Sequence, residues 1–242
     1  MKILQGVRPE DIIFIDIETV PSAPSFDALE QHFQILWEKK SKHFRSEEES
    51  AGDVYNRAGI YAEFGKIICI SAGVITGKDP FSFRLKSFYV DDENHILSDF
   101  SSMLAKFSRN RETLLCAHNG KEFDYPYISR RMIINRITIP DLLDTAGRKP
   151  WEIKLIDTMD LWKFGDFKSY TSLDLLTSVL NIRSPKDDID GGMVADLYYN
   201  EGELKRIVRY CEKDVLAVAQ VLLRFLNLPQ INGENVESVT PL

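Results

Sequence analysis

Two carboxylates stand directly after the first apolar run of the chain. Residues 12–15 read Ile-Ile-Phe-Ile, which is typical of a short strand buried on both faces. Because side chains alternate along a strand, Asp16 and Glu18 are expected to point to one side while Ile17 returns to the core. Charged groups beside such a strand are costly unless they bind something. The pair therefore indicates a binding role, although triplets of this kind also arise by chance in an acidic chain.

A third carboxylate, Asp124, closes the segment Asn-Gly-Lys-Glu-Phe-Asp at residues 119–124. This segment lies between a predicted strand at residues 113–117 and a predicted helix at 123–136. Ligands gather where a strand ends in a glycine turn in open α/β sheets. An ordinary acidic residue in the first turn of a helix is the alternative explanation for Asp124.

A fourth carboxylate, Asp214, follows Tyr210 by four positions in a predicted long helix at residues 203–226. This spacing places both side chains on one helix face, next to an apolar stripe. Asp214 is therefore expected at the rim of the core. Taken alone, the two residues are equally explained as a surface pair.

The three segments in this order resemble the motifs of the DEDD exonuclease superfamily, tyrosine subtype. These motifs are D-x-E after the first strand, N-x3-F-D after a later strand, and Y-x3-D on a late helix. The chain is most similar to stand-alone exonucleases related to the proofreading domain of family B DNA polymerases. The resemblance runs from about Asp11 to Leu226. Arg209 stands where the histidine subtype has its histidine, and residues 31–46 do not align with a typical proofreading domain.

The resemblance implies a role for each site residue. Asp16 would bridge two metal ions, Glu18 and Asp214 would complete the site of the ion that activates water, and Asp124 would serve the second ion. Tyr210 would orient the attacking water, because a phenol with a pKa near 10 is a poor base at neutral pH. An all-oxygen ligand set suits Mg²⁺ or Mn²⁺, and two such cations stabilise the attacking and leaving oxygens of a phosphodiester.

Three further residues are candidates for substrate binding. Thr19 and Asn119 are candidates to hold the terminal nucleotide. Phe123 is the third, although packing is favoured over stacking for it. Asp157, Asp160 and His118 lie near the same segments, but helix capping and core hydrogen bonding explain them as well.

The elements that must position these residues follow from periodicity and turn signals. Two strand-like runs at residues 66–76 and 81–90 predict a hairpin beside the first strand, and helices are predicted at 94–109, 172–180 and 193–200. A final strand is predicted at 154–157. This is an α/β pattern, and the resemblance implies a ribonuclease H-like exonuclease fold with a mixed five-stranded sheet flanked by helices.

Length and composition set the domain organisation. With 242 residues, the chain is expected to form one exonuclease domain over 1–242, with a core at about 11–226. Residues 26–62 are expected to form a helical insertion, and residues 229–242 a polar, frayed tail. Cys69, Cys116 and Cys211 lie in apolar contexts, which favours buried thiols.

Composition also limits the class of protein. The chain is 44% hydrophobic and 28% charged, as in soluble globular proteins. No apolar run approaches the roughly 18 residues of a membrane span and the start does not resemble a signal peptide, so a cytoplasmic protein without a membrane partner is expected. A net charge of −7 argues against a surface that binds nucleic acid everywhere. A carboxylate site neutralised by cations is compatible with that charge.

The sequence therefore predicts a metal-dependent 3′-to-5′ exonuclease that releases nucleoside monophosphates from single-stranded nucleic acid, with DNA favoured. An RNase D-like 3′ exoribonuclease is one alternative, because recognition of the 2′-OH depends on pocket shape. A catalytically silent module of the same fold, binding nucleic acid or a partner, is the other. A DNA polymerase or repair protein served in trans stays open as a partner. The basic run at residues 39–45 is compatible with strand binding and equally with a solvated helix face.

Overall fold

A mixed six-stranded sheet organises the computed structural model, which describes residues 1–109, 112–166, 168–182 and 189–241. The strand order is β5-β4-β1-β2-β3-β6. β1 runs antiparallel to β2 and parallel to β4, so it lies at the centre of the sheet. The strands are β1 (Ile12–Pro21), β2 (Gly65–Thr76), β3 (Ser82–Phe88), β4 (Leu114–Ala117), β5 (Leu155–Asp157) and β6 (Val236–Ser238).

Helices cover both faces of the sheet. The α-helices are α1 (Gln31–Ser41), α2 (Glu93–Ser108), α3 (Asp124–Ile134), α4 (Thr158–Lys163), α5 (Leu173–Val179), α6 (Val194–Asp196) and α7 (Leu204–Phe225). A π-helical turn, Leu197–Glu201, follows α6. Short 3-10 helices lie at Lys2–Leu4, Pro9–Asp11, Phe26–Ala28, Tyr55–Ile60, Pro150–Glu152 and Gly233–Asn235. No helix in these described ranges is both long and apolar enough to cross a lipid bilayer.

Alternation along β1 separates two cores. Ile13, Ile15 and Ile17 pack into the core beneath α2 and α3. Ile12 and Phe14 pack into the core beneath α7. Asp16 and Glu18 have the parity of this second set, so they project on the α7 side. They lie inside β1 and not beyond its end, next to a register shift between Glu18 and Thr19, an irregularity that often re-aims side chains at active sites.

The sheet confirms the predicted mixed α/β class, but it has six strands and not the expected five, because part of the predicted frayed tail forms a strand. The tail adds β6 in parallel beside β3, with Val236 opposite Phe83. Glu212 on α7 is 7% exposed and accepts hydrogen bonds from the hydroxyls of Ser87, Ser238 and Thr240. A buried carboxylate needs such donors, and they fix the tail against the sheet. Leu242, the last residue of that predicted tail, lies outside the described residues.

The insertion at 26–62 is less helical than predicted. α1 ends at Ser41, and the later part of the expected helical insertion contains only a 3-10 turn at Tyr55–Ile60. The insertion instead packs around Trp37, which is fully buried and donates to the carbonyl of Ala51. Tyr127 on α3 donates a hydrogen bond of 2.8 Å to the carbonyl of Gly59, which fixes the insertion to the sheet domain. Packing around Trp37, and not helical propensity, therefore determines the conformation of the insertion.

Candidate active site

The carboxylates of β1 lie against the middle of α7. Ligand atoms of Asp16, Glu18 and Cys211 all lie within 4.8 Å of one another. The Cys211 thiol lies 3.3 Å from Oδ2 of Asp16 and donates a hydrogen bond to it. On the same helix, Tyr210 and Asp214 lie one turn apart and are joined by a side-chain hydrogen bond. The strand and the helix thus bring the first and third predicted segments together.

Burial, and after it mutual repulsion, raises the pKa values of these acids. The pKa of Asp16 is raised well above its usual range by burial, and then by the negative charges of Asp124, Glu18 and Asp214. The pKa of Glu18 is raised well above its usual range, first by burial and then by the charge of Asp214, with Cys69 and Asp124 contributing less. All four predicted carboxylates therefore belong to one electrostatic cluster. A divalent cation bound among them would relieve this repulsion.

Asp124 contributes an unsatisfied acceptor to this cluster. It is 3% exposed, and its Oδ1 has no hydrogen-bond partner among the described residues. Burial raises the pKa of Asp124 to about 7, against the lowering effect of its hydrogen bonds to backbone groups, including that of Ile17. A buried acceptor without a partner costs about 1–3 kcal/mol. Its charge acts on Asp16 and Glu18, which fits a divalent cation with oxygen ligands bound among these acids.

The loop before Asp124 is fixed by Asp157, the N-cap of α4. One carboxylate oxygen of Asp157 accepts from the backbone N–H groups of Asn119, Met159 and Asp160, and the other accepts from Lys121. Asn119 adopts a left-handed conformation with φ 63°. The four donors satisfy this buried carboxylate entirely within the loop and the helix. Asp157 therefore caps α4 and holds the loop, and its negative charge also raises the pKa of Asp124.

His118 and Asp160 are also engaged away from the cluster. His118 Nε2 lies 2.9 Å from the Thr171 carbonyl and Nδ1 lies 2.8 Å from the Thr158 hydroxyl. Burial lowers the pKa of His118, which favours the neutral ring. The carboxylate of Asp160 forms an exposed ion pair with Lys121 at 2.7 Å. These contacts connect the loop before Asp124 to α4 and to Thr171.

A cavity of about 430 Å³ opens next to Glu18 and extends to the insertion. Thr19 and Phe123 line it, whereas the ring of Phe123 also packs on Tyr127 with 5.3 Å between centroids. Its volume falls within the usual range for small-ligand sites, about 300–1,000 Å³. Across from Glu18 the wall is formed by the insertion and by the loop before α6, at Asn56, Arg57, Gly59, Ile60, Gly191, Gly192 and Ala195.

Sequence reasoning missed two contributors to this region. Cys211 was assigned only to the core, yet its thiol contacts Asp16. Its place directly after Tyr210 in the third segment was the available signal. The insertion wall around Arg57 carried no signal, because nothing in the local pattern of residues 51–62 shows that this segment returns to Glu18.

The mixed sheet and the carboxylates on its central strand define a ribonuclease H-like exonuclease fold. The chain is similar to the family B DNA polymerase from the hyperthermophilic archaeon Pyrobaculum calidifontis, with a TM-score of 0.56 and 14% identity. The match covers 91% of this chain and 25% of that polymerase, so the chain spans about a quarter of its length. At this identity the likeness describes the fold.

The sequence itself defines the family. Residues 60–237 match the profile of a predicted 3′-5′ exonuclease related to the exonuclease domain of PolB. The chain belongs to that family, which confirms the resemblance to the exonuclease domain of family B polymerases. The match begins after β1, so Asp16 and Glu18 lie outside the matched residues. No curated protein gives a significant match.

Proposed function

We propose that this protein is a 3′-to-5′ exonuclease that removes nucleoside monophosphates from the ends of single-stranded DNA. The observation that carries the proposal is the cluster of Asp16, Glu18, Asp124 and Asp214, whose charges act on one another. The buried, unpaired Oδ1 of Asp124 supports cation binding in that cluster. Such sites favour hydrolysis of phosphodiesters, whose transition state gains negative charge.

Asp16, Glu18, Asp124 and Asp214 would hold two Mg²⁺ or Mn²⁺ ions, with Asp16 shared between them. Bound there, the ions would lower the pKa of water and stabilise charge on the attacking and leaving oxygens. The protein supplies the fixed positions of these acids. Asp16 and Glu18 are held by the sheet, Asp214 by α7, and Asp124 by the loop anchored at Asp157.

Tyr210 would position the attacking water. Burial and the nearby charges of Asp214, Glu18 and Asp16 raise the pKa of its phenol far above neutrality, so the hydroxyl keeps its proton. A protonated phenol beside Asp214 orients a water by hydrogen bonding and does not act as the base. Thr19 and Phe123, which line the cavity beside Glu18, would contact the terminal nucleotide. Asn119, near the start of the loop between β4 and α3, does not line that cavity.

Degradation of matched 5′-labelled single strands of DNA and RNA tests this proposal. With Mn²⁺ or Mg²⁺, wild-type protein is expected to give a ladder of DNA shortened from the 3′ end, and Asp16→Ala is expected to give none. A circular single strand should stay intact, because it has no end. Cleavage of RNA alone would assign the ribonuclease alternative. Equal absence of cleavage in wild type and Asp16→Ala would contradict an enzymatic role.

A further inference from the structure

The insertion presents an arginine to the cavity that opens beside Glu18. Arg57 lines this cavity from the 3-10 turn Tyr55–Ile60, and its side chain is exposed. Within the described parts of the chain, no carboxylate lies within ion-pair distance of its guanidinium. An exposed cation in a cleft that also contains Glu18, a proposed metal ligand, is suited to an anionic substrate.

The guanidinium is held in place before any ligand binds. It stacks on the ring of Phe44 at 4.3 Å from the ring centroid. Phe44 in turn stacks on Tyr61, with ring centroids 6.0 Å apart, and packs against the buried Trp37. The insertion core therefore restricts where the guanidinium lies. Less side-chain entropy is then lost on binding than for a free surface arginine.

The chemistry of Arg57 favours phosphate. A planar guanidinium donates a fork of N–H groups that matches a phosphate, whereas a lysine acts as a point charge. The net charge of −7 repels a polyanion overall, so local cations near the cleft must provide the attraction. The neighbouring Lys40 is directed over Tyr61 at 4.5 Å and so belongs to the same aromatic stack.

We infer that Arg57 binds a backbone phosphate of the single strand whose 3′ end enters the site, which makes the 26–62 insertion part of the substrate-binding surface. This inference rests on the proposed exonuclease function. It assigns the insertion a role in affinity for the strand and not in the hydrolytic step. The cavity is then shared between the sheet, which carries Glu18, and the insertion, which carries the phosphate contact.

Binding of a 5′-fluorescent single-stranded DNA, measured by anisotropy in EDTA over a salt series, tests the inference without cleavage. Lys42→Ala is the matched control, because Lys42 is an exposed cation of the same insertion that does not line the cavity. Arg57→Ala is expected to weaken binding about tenfold and to lower the slope of log K against log salt by about 0.7, the value for one phosphate contact on a single strand. Lys42→Ala should change affinity less than twofold.

Arg57→Lys distinguishes a phosphate contact from loss of folding. It keeps the charge and loses the fork, so the salt slope should stay near wild type with affinity reduced about threefold. Unchanged affinity in Arg57→Ala, equal loss in Lys42→Ala, or weaker binding with an unchanged salt slope would each overturn the inference. The wild-type protein could instead cleave neither DNA nor RNA while its binding of the strand still depends on Arg57. That result would contradict the exonuclease proposal and support the phosphate contact of Arg57.

Discussion

The thiol of Cys211 on α7 donates to Oδ2 of Asp16 on β1 across 3.3 Å, from a position fully buried between helix and sheet. Neither residue is close to the other in sequence. The hydrogen bond lowers the pKa of Asp16, against the raising effects of burial and neighbouring carboxylates. Cys211 thus favours the ionised form of the residue proposed to bridge two cations.

Replacing this thiol is expected to make metal activation more sensitive to pH. In Cys211→Ala the pKa of Asp16 rises further, so more of the carboxyl is protonated at pH 6 than in wild type. The Mn²⁺ concentration for half-maximal cleavage should rise several-fold at pH 6 and change little at pH 8. Cys116→Ala, a buried thiol on β4, is the matched control. Equal shifts at both pH values would contradict a role through Asp16.

Metal-free protein is expected to lose stability as the pH rises. Asp124 has an ordinary pKa of 3.8 when unfolded and a pKa of about 7 when folded. Between these pH values the folded state therefore binds more protons than the unfolded state. The resulting stabilisation is fully present below pH 3.8 and is lost as the pH rises through about 7. Thermal unfolding in EDTA should show a lower Tm at pH 8 than at pH 6.

Cation binding should reverse that loss. At a Mn²⁺ concentration about a hundredfold above its Kd at pH 8, the stabilisation there is about 2.7 kcal/mol. The same concentration should stabilise less at pH 5, because protons then compete with the cation. Asp124→Asn removes the titrating charge, so its metal-free Tm at pH 8 should equal or exceed that of wild type. A Mn²⁺ shift in Asp124→Asn as large as in wild type would contradict metal binding at this residue.

Removing the phenol of Tyr210 should slow the chemical step. Tyr210→Phe keeps the ring and loses the group proposed to orient water, so kcat is expected to fall about 10–100-fold, the usual range for a lost orienting contact, with KM nearly unchanged. Tyr170→Phe, which loses only an exposed hydrogen bond of 2.7 Å to Glu122, should keep wild-type kcat. A rise in KM alone would point to substrate binding instead.

Strand alternation and motif order predicted which carboxylates lie close together in the structure. The parity of Asp16 and Glu18 follows from a local rule, and the i, i+4 spacing of Tyr210 and Asp214 follows from another. β6 was not predictable in this way, because it depends on pairing with β3 and on the bond from Ser238 to Glu212, both distant in sequence. The insertion wall likewise depends on the contact between Tyr127 and Gly59, which no local pattern encodes.

Asp157 is expected to act as a positioning residue for the loop that leads to Asp124. Asp157→Ala leaves four backbone N–H groups without their acceptor, so a loss of about 3 kcal/mol or more in the free energy of unfolding is expected. Asp157→Asn keeps one acceptor oxygen and should be less damaging. Folded Asp157→Asn should need more Mn²⁺ for half-maximal activity, because Asp124 is less well placed.

Asp160→Asn is the matched control for that experiment. Its exposed ion pair with Lys121 is expected to contribute less than about 1 kcal/mol, so both Tm and Mn²⁺ dependence should stay near wild type. If Asp157→Asn lowers Tm and leaves the Mn²⁺ requirement unchanged, Asp157 is a helix cap without influence on the site.

Glu212 and Asp214 lie on the same helix, but their replacement is expected to have different effects. Loss of Glu212 should lower stability, and loss of Asp214 should abolish cleavage. Glu212 accepts from Ser87, Ser238 and Thr240 on the side of β3 and the tail, away from the carboxylate cluster. Glu212→Ala leaves the buried hydroxyl of Ser87 and the more accessible hydroxyls of Ser238 and Thr240 without their acceptor. It should cost about 1–3 kcal/mol of unfolding free energy, with kcat of the folded enzyme within about threefold of wild type. Asp214→Ala should abolish cleavage and leave the tail in place. If a folded Glu212→Ala protein loses cleavage, the contact between Glu212 and the tail is needed for activity as well as Asp214.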